Sequence, residues 1–249
     1  MEKNQHNTTI VTRIRNRNSI FADTLANWVQ FDIPIIVVDY RDDSCESVYD
    51  VVTTTPGAEN VTVIETKYEY VFLPSHAWNL GIFQVKTERV LLLDVDVTIT
   101  SDFFEVNTLP VNAAVVGMHP YNTWHLTGLC FTQTALIRNV GGFNENMTYM
   151  GFHDIDMRNR MNQLGCRLVT LSGNTAVHKE HPRRLNSVNQ WSDAGMLSDD
   201  SHHHIYDAMN ELNRRIADKL PWSAESVRVK WTLTELDKNR FLAVRDVTG

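Results

Sequence analysis

Arg89-Val90-Leu91-Leu92-Leu93-Asp94-Val95-Asp96-Val97 is the stretch on which the fold turns. Its uninterrupted apolar run predicts a strand buried on both faces, the pattern of a parallel sheet covered by helices. At its end it delivers two carboxylates spaced i, i+2. Taking an ion out of water costs several kcal/mol, so paired charges there need a cation or hydrogen-bond donors beside them. Two readings stand. The strand simply runs out into a polar turn, or the carboxylates are oxygen ligands for Mg²⁺ or Mn²⁺ bridging a diphosphate, where the cation neutralises charge on a phosphate leaving group.

The residues around this stretch support a sheet. Upstream, Thr8–Ile14 predicts a strand, and Ser19 precedes apolar residues at helical spacing in Ile20–Phe31. Ile33–Val38 is a second buried strand that opens into the polar stretch Asp39–Ser44. Val61–Glu65 repeats the theme, and Ser75–Lys86 predicts a helix. Strands alternating with helices imply βαβ units and a mostly parallel sheet, which binds ligands at the carboxyl ends of its strands. Downstream, Ala113–Met118 and Leu168–Leu171 predict strands, while Gln133–Val140 and Asp154–Leu164 predict helices. After His178 the chain becomes more polar, and an amphipathic helix is expected over His203–Leu220, stopped by Pro221. The expected architecture is α/β and Rossmann-like, with a catalytic domain over residues 1–186 and a C-terminal helical extension, 187–249, packed on or near the active site.

Composition narrows the class of protein. Hydrophobic residues make up 43% and charged residues 21% of the 249, which argues against disorder and against a fibrous protein. A formal charge of −7 argues against a phosphate-backbone partner, although Arg13, Arg15 and Arg17 form a local basic cluster. Cys45, Cys130 and Cys166 make no CxxC pair and are odd in number, against a disulfide framework. Apolar runs such as Ile33–Val38 are far shorter than the roughly 20 residues a membrane helix needs, and the polar start Met1–Thr9 has no signal-peptide core. The expected location is cytoplasmic.

Two further motifs follow the carboxylate pair. Gly141-Gly142-Phe143-Asn144-Glu145 precedes Gly151-Phe152-His153-Asp154-Ile155-Asp156. Paired glycines allow a tight turn, and acids opening the Asp154–Leu164 helix also suit its positive N-terminal dipole, so Asp154 or Asp156 taken alone reads more often as a helix cap than as a catalyst. Ala176-Val177-His178-Lys179-Glu180-His181-Pro182 ends an apolar stretch in two histidines, of which His178 is a candidate metal ligand through a neutral imidazole. His202, His203 and His204 splay around a helix and do not converge on one ion. Trp78, Trp124 and Trp191 are candidates for stacking on a sugar, with packing the commoner fate of tryptophan.

In this order the blocks resemble the family 2 glycosyltransferases of the GT-A fold, nearest to bacterial chondroitin-polymerase-type and galactosyltransferase C-terminal-like domains. Asn79-Leu80-Gly81 resembles the Asn-x-Gly helix, Asp94-Val95-Asp96 the metal-binding DxD, Gly141–Glu145 with Gly151–Asp156 the glycine-flanked acidic blocks, and His178–Asn186 the metal-histidine loop. The departure falls at His153, where the family often has a Glu associated with acceptor contacts. The resemblance covers about residues 8–186 and implies a metal-dependent, inverting transfer of a hexose or N-acetylhexosamine from a UDP-sugar to an acceptor hydroxyl of a glycan or other molecule. It implies Asp154 as general base and Asp94, Asp96 and His178 as ligands of Mn²⁺ or Mg²⁺. It also implies that Thr12, Arg13, Arg17, Asp39, Asp42 and Asn79, with the two DxD carboxylates, line the nucleotide-sugar site. A DNA-base glycosyltransferase and a sugar nucleotidyltransferase are the alternatives. The first needs a phosphate-binding surface, and the second normally shows a glycine-rich loop that Thr9–Asn18 lacks.

Overall fold

The computed structural model describes residues 7–40, 46–67, 72–117, 126–180 and 199–246, with side chains of the last stretch described from residue 206. Along the chain run β1 (Thr8–Ile14), α1 (Asn18–Trp28), β2 (Ile35–Asp39), α2 (Tyr49–Thr54), β3 (Val61–Thr66), α3 (Pro74–Ile82), β4 (Arg89–Leu92), β5 (Val97–Ile99) and α4 (Phe103–Val106). Then follow β6 (Ala113–Val116), β7 (Cys130–Gln133), α5 (Thr134–Asn139), α6 (His153–Gln163), β8 (Arg167–Thr170), β9 (Ala176–His178), α7 (Asp199–Lys219), β10 (Trp231–Asp237) and β11 (Arg240–Arg245).

Among the described residues nine strands form one sheet in the order β10-β11-β3-β2-β1-β4-β7-β6-β8, and β5 pairs with β9 apart from it. The pairs β1–β2, β2–β3, β1–β4, β3–β11 and β6–β8 are parallel, while β7 runs antiparallel between β4 and β6. Buried on both faces, the central strands alternate their side chains between two apolar layers. Ile10, Ile14, Val37, Leu91 and Phe131 pack with Phe21, Leu25 and Trp28 of α1 on one side. Val11, Val38, Val90 and Leu92 pack with Trp78 and Leu80 of α3 and Met157 and Met161 of α6 on the other.

The structure departs from the sequence reading in two places. Arg89–Val97 is not one strand: β4 stops at Leu92, the chain turns through the two aspartates with Val97 N–H donating to Asp94 C=O (3.0 Å), and β5 starts a separate ladder. Helix α1 enforces the break, because Thr24 Oγ1 donates to Val95 C=O (2.7 Å) and Trp28 Nε1 to Val97 C=O (2.9 Å). Second, the C-terminal stretch is not only helical. Beyond α7, the antiparallel β10–β11 hairpin adds β11 in parallel to β3 and so joins the main sheet. No helix among the described residues is long and apolar enough to cross a membrane.

Candidate active site

The strand order reverses at β1: the chain leaves it towards β2 and β3, then returns to lay β4 on its other edge. Parallel α/β sheets bind ligands at such a switch point, outside the carboxyl ends of the strands. The turns after β1 and β4 meet there. Arg13 Nη2 lies 3.4 Å from Asp94 Oδ1, and Arg17 Nη1 donates to Asp96 Oδ2 at 3.0 Å. The Arg13 guanidinium lies over the rings of Phe72 and Trp78, 5.3 and 5.1 Å from their centroids. Burial lowers the Arg17 pKa, and burial likewise raises that of Asp94, opposed by the charge of Arg13. The two arginines thus supply the compensation that the buried carboxylates require.

His178 reaches the same place through the small ladder. Pairing of Val97 with His178, and donation from Lys179 N–H to Asp96 C=O (2.7 Å), set its imidazole Nε2 3.7 Å from Asp96 Oδ2. Among the described residues no group of three or more His, Cys, Asp or Glu is gathered closely enough to form a preformed metal cage. The donor set nevertheless fits a divalent cation. Asp96 and His178 offer one oxygen and one nitrogen side by side, and ions such as Mg²⁺ characteristically take few protein ligands and complete their shell with water and phosphate oxygens.

Asp154 comes from a different element, the first turn of α6, and is coupled to the charges of Asp94 and Arg13. The residue at the helix N-cap is Phe152, in a left-handed conformation and without a side-chain cap. Asp154 is therefore not the cap. Its carboxyl is pushed up to about 6, first by burial, with the Asp94 charge adding and the Arg158 and Arg13 charges opposing. Arg158, one turn further on and buried, donates through Nη2 to Thr127 C=O and to Leu129 C=O (3.2 Å). It thereby fixes the turn holding Gly128, where any Cβ would stand 2.0 Å from Asp94 Oδ2. The Gly128 backbone therefore seats the Asp94 carboxylate. His153, beside Asp154, is held neutral: burial and the Arg13 charge lower its pKa to about 3. Its Nε2 is buried with no hydrogen-bond partner among the described residues.

Of the residues expected at the site, the structure brings Arg13, Arg17, Asp94, Asp96 and His178 into direct proximity, and couples Asp154 to them electrostatically. Other expectations need correction. The Thr12 side chain is fully buried on the Ile10–Ile14 side of the sheet, away from the Arg13 side, because neighbours along a strand face opposite ways. Asn79 is 3% exposed, and its amide is spent within the protein rather than on a nucleotide. It donates to Phe143 C=O (2.9 Å) and Glu145 Oε1 (2.8 Å), and accepts from Phe143 N–H (2.7 Å). It thus clamps the Gly141–Glu145 turn, whose paired glycines do take left-handed φ of 79° and 69°. Asp39 is 1% exposed and accepts from Val48 N–H (3.0 Å), bracing the start of α2. Trp78 is 1% exposed and stacked on Phe143, so it is core. Asp42, Trp124, His181 and Trp191 lie outside the described residues, as do the side chains of His202, His203 and His204. The sequence reading missed Arg158, whose i+4 spacing from Asp154 was the available signal, and Gly128, which had none.

The clamp makes a testable claim. Asn79→Ala strips buried partners from Phe143 and Glu145, at a cost of about 1–3 kcal/mol for each group left unsatisfied. The expected result is a Tm lower by several degrees in a thermal melt, with Mn²⁺-dependent UDP affinity within about threefold of the parent. A loss of UDP binding at unchanged Tm would restore Asn79 to the nucleotide site.

A half-Rossmann sheet ordered 3-2-1-4, an antiparallel strand beside it, and carboxylates on the turn after β4 define the GT-A fold of the glycosyltransferases. Solved structures of that fold superpose on the chain. The catalytic domain of Drosophila beta1,4-galactosyltransferase 7 in complex with xylobiose matches with TM-score 0.60 at 11% identity, covering 97% of this chain and 93% of that one. A mutant of the same enzyme in complex with manganese, UDP-Gal and xylobiose matches with TM-score 0.59, at the same identity and coverage. S. aureus TarS matches with TM-score 0.52 at 16% identity, over 85% of this chain and 72% of that one. No family model and no curated protein matches the sequence.

Proposed function

We propose that the protein is a metal-dependent, inverting glycosyltransferase that moves a hexose or N-acetylhexosamine from a UDP-sugar to a hydroxyl of a glycan acceptor. The observation that carries this reading is the pairing of two acidic walls. The one formed by Asp94 and Asp96 is compensated by Arg13 and Arg17, and the other, at Asp154, carries a raised pKa and no ion pair among the described residues. Transfer with inversion needs that division, since charge develops on the departing diphosphate on one side and a proton leaves the acceptor on the other.

Within the site, Arg13 and Arg17 attract the diphosphate and Asp96 with His178 would hold Mn²⁺ or Mg²⁺, Asp94 in support. When bound, the cation supplies charge stabilisation to the leaving diphosphate. Asp154, its carboxyl pushed up to about 6 and so a stronger base than an ordinary aspartate, removes the proton from the acceptor hydroxyl as that oxygen attacks the anomeric carbon. Neutral His153 offers an imidazole lone pair to a second acceptor hydroxyl, as its Nε2 has no donor among the described residues to satisfy it. Support for the donor and acceptor classes comes from the fold: a structure of the same fold holds manganese, UDP-Gal and xylobiose.

Release of nucleotide from a panel of nucleotide sugars, with and without Mn²⁺ and with xylobiose and other oligosaccharides as acceptors, tests the reading. The expected outcome is cation-dependent UDP release from a UDP-hexose or UDP-N-acetylhexosamine, faster when an acceptor is present. Absence of release from every donor with either cation would sink it.

A further inference from the structure

The segment that delivers Asp154 is built from backbone that does not hold itself. Tyr149, Gly151 and Phe152 all have left-handed φ, of 53°, 91° and 66°, before α6 begins. Two of them are non-glycine residues, and each such conformation costs of order 1 kcal/mol or more and persists only where the surroundings over-determine it. Phe152 C=O is taken up by α6 itself, but the carbonyls of Thr148, Met150 and Gly151 need partners from elsewhere. They find them on α7, beyond the part of the chain to which the sequence assigns chemistry.

Asn213 is fully buried, 0% exposed, and its side chain acts as a peptide mimic. Its Nδ2 donates to Thr148 C=O (2.8 Å), Gly151 C=O (2.9 Å) and, at the longer 3.3 Å, Met150 C=O, while its Oδ1 accepts from Thr148 N–H (3.0 Å). Helix α7 also lies directly against Gly151, where a Cβ would come 3.0 Å from Asn210 Cα and Cβ, so the loop and helix have no slack between them. One residue beyond Gly151, Phe152 C=O accepts the bond from Asp156 N–H (2.9 Å) that begins α6. The path from Asn213 to the first turn of α6, and so to Asp154, is thus a short chain of fixed peptides.

We infer that Asn213 is a positioning residue: from α7 it holds the 148–151 backbone and thereby sets where the Asp154 carboxylate stands. The inference rests on Asp154 being the base. It gives the C-terminal helix a part in the reaction without contact with donor or metal, and it predicts a loss confined to the proton-transfer side of the site. A displacement near 1 Å of a reacting group costs on the order of 10²-fold in rate.

A double-mutant cycle tests this on the full-length protein with Asn213→Ala, Asp154→Asn and their combination, measuring kcat, KM for the acceptor and Mn²⁺-dependent UDP affinity per folded molecule. The expected result is a kcat loss of about 10- to 10²-fold for Asn213→Ala, with UDP affinity within about threefold. In the Asp154→Asn background the same change is expected to cost less than about twofold, because a residue that acts through a carboxylate has nothing to act on once it is gone. Asn213→Ser, which keeps one donor and one acceptor, is expected to fall between Ala and the parent, and it replaces Ala should the Ala variant not fold. Unchanged kcat per folded molecule, equal losses of kcat and UDP affinity, a full additive loss on top of Asp154→Asn, or failure of both variants to fold would each overturn the positioning role. An Asp154→Asn variant of normal activity would instead remove the base beneath it, and the two failures are told apart by the single mutants alone.

Discussion

Asp154→Asn is expected to slow transfer by on the order of 10²–10⁴-fold, the usual contribution of a general base, while UDP and Mn²⁺ affinities stay within a few-fold. Asn keeps the size and shape of the side chain and removes only proton acceptance. A helix-capping role predicts something else, since Asn and Asp cap equally well; moreover Phe152, not Asp154, stands at the cap. Two pH effects sharpen the test. With its carboxyl pushed up to about 6, the parent should lose kcat/KM as pH falls through that value. Saturating cation, by offsetting the Asp94 charge that helps raise it, should move the limb to lower pH. For stability the sign is opposite to that of an ordinary paired carboxylate. The folded pKa lies above that of an aspartate in the unfolded chain, so the relative stability that the protonated group contributes is lost as pH rises through about 6, and Asn should raise the Tm at pH 8. Asp156→Asn is the contrast. Its carboxylate is buried and takes Arg160 Nη2 at 2.6 Å and Nε at 2.9 Å, so that change should lower the Tm and leave kcat per folded molecule alone. Turnover of Asp154→Asn within threefold of the parent would make the carboxylate structural.

The parts of this site that were legible in the sequence are those whose signal is local. The run ending in Asp94 and Asp96 announces a buried strand and its charged end because both lie within nine residues. The βαβ alternation then locates the ligand crevice, and Arg13 and Arg17 follow because they sit at the carboxyl end of β1 and in the turn just beyond it. What was not legible depends on contacts between distant segments. Nothing in Arg89–Val97 reveals that α1, some 70 residues earlier, claims the carbonyls of Val95 and Val97 and so breaks the strand. The family resemblance places Asn79 at the nucleotide, and an amide inside a helix has no local signature that separates a ligand contact from a clamp on a loop 64 residues away. The hairpin has a different cause. Trp231 and Leu233 begin a period-2 alternation, but the bulge between Glu235 and Asp237 shifts its phase, so Leu236 falls out of step. Asn213, finally, is one polar residue on an amphipathic helix, and its importance appears only with the left-handed backbone that it holds.

Asp96→Ala is expected to remove cation-dependent turnover, by on the order of 10²-fold or more, because a direct ligand to a Lewis-acidic cation carries several kcal/mol of charge stabilisation and each 1.36 kcal/mol is tenfold. The structure separates this residue from its neighbour. Asp96 is 5% exposed and lies 3.7 Å from His178 Nε2, whereas the half-buried Asp94 is engaged by Arg13 and backed by the Gly128 backbone. Asp94→Ala should therefore weaken Mn²⁺ affinity less than Asp96→Ala, and His178→Ala should resemble the latter. Removing Asp96 also leaves the Arg17 guanidinium, 16% exposed, without its 3.0 Å partner, so a lower Tm is expected as well. Asp96→Asn, which keeps the volume, together with titration of Mn²⁺ in the presence of UDP on folded protein, distinguishes the two effects: a structural loss lowers the Tm and spares the cation dependence, and a ligand loss abolishes the dependence whatever the Tm. The arginines define the contrary outcome. Arg13 and Arg17 already balance the two aspartates, and with both carboxylates neutralised by mutation they are two cations facing a diphosphate. Turnover of Asp96→Ala that persists in EDTA would show that guanidinium charge carries the leaving group, with the aspartates serving to hold the arginines rather than a metal.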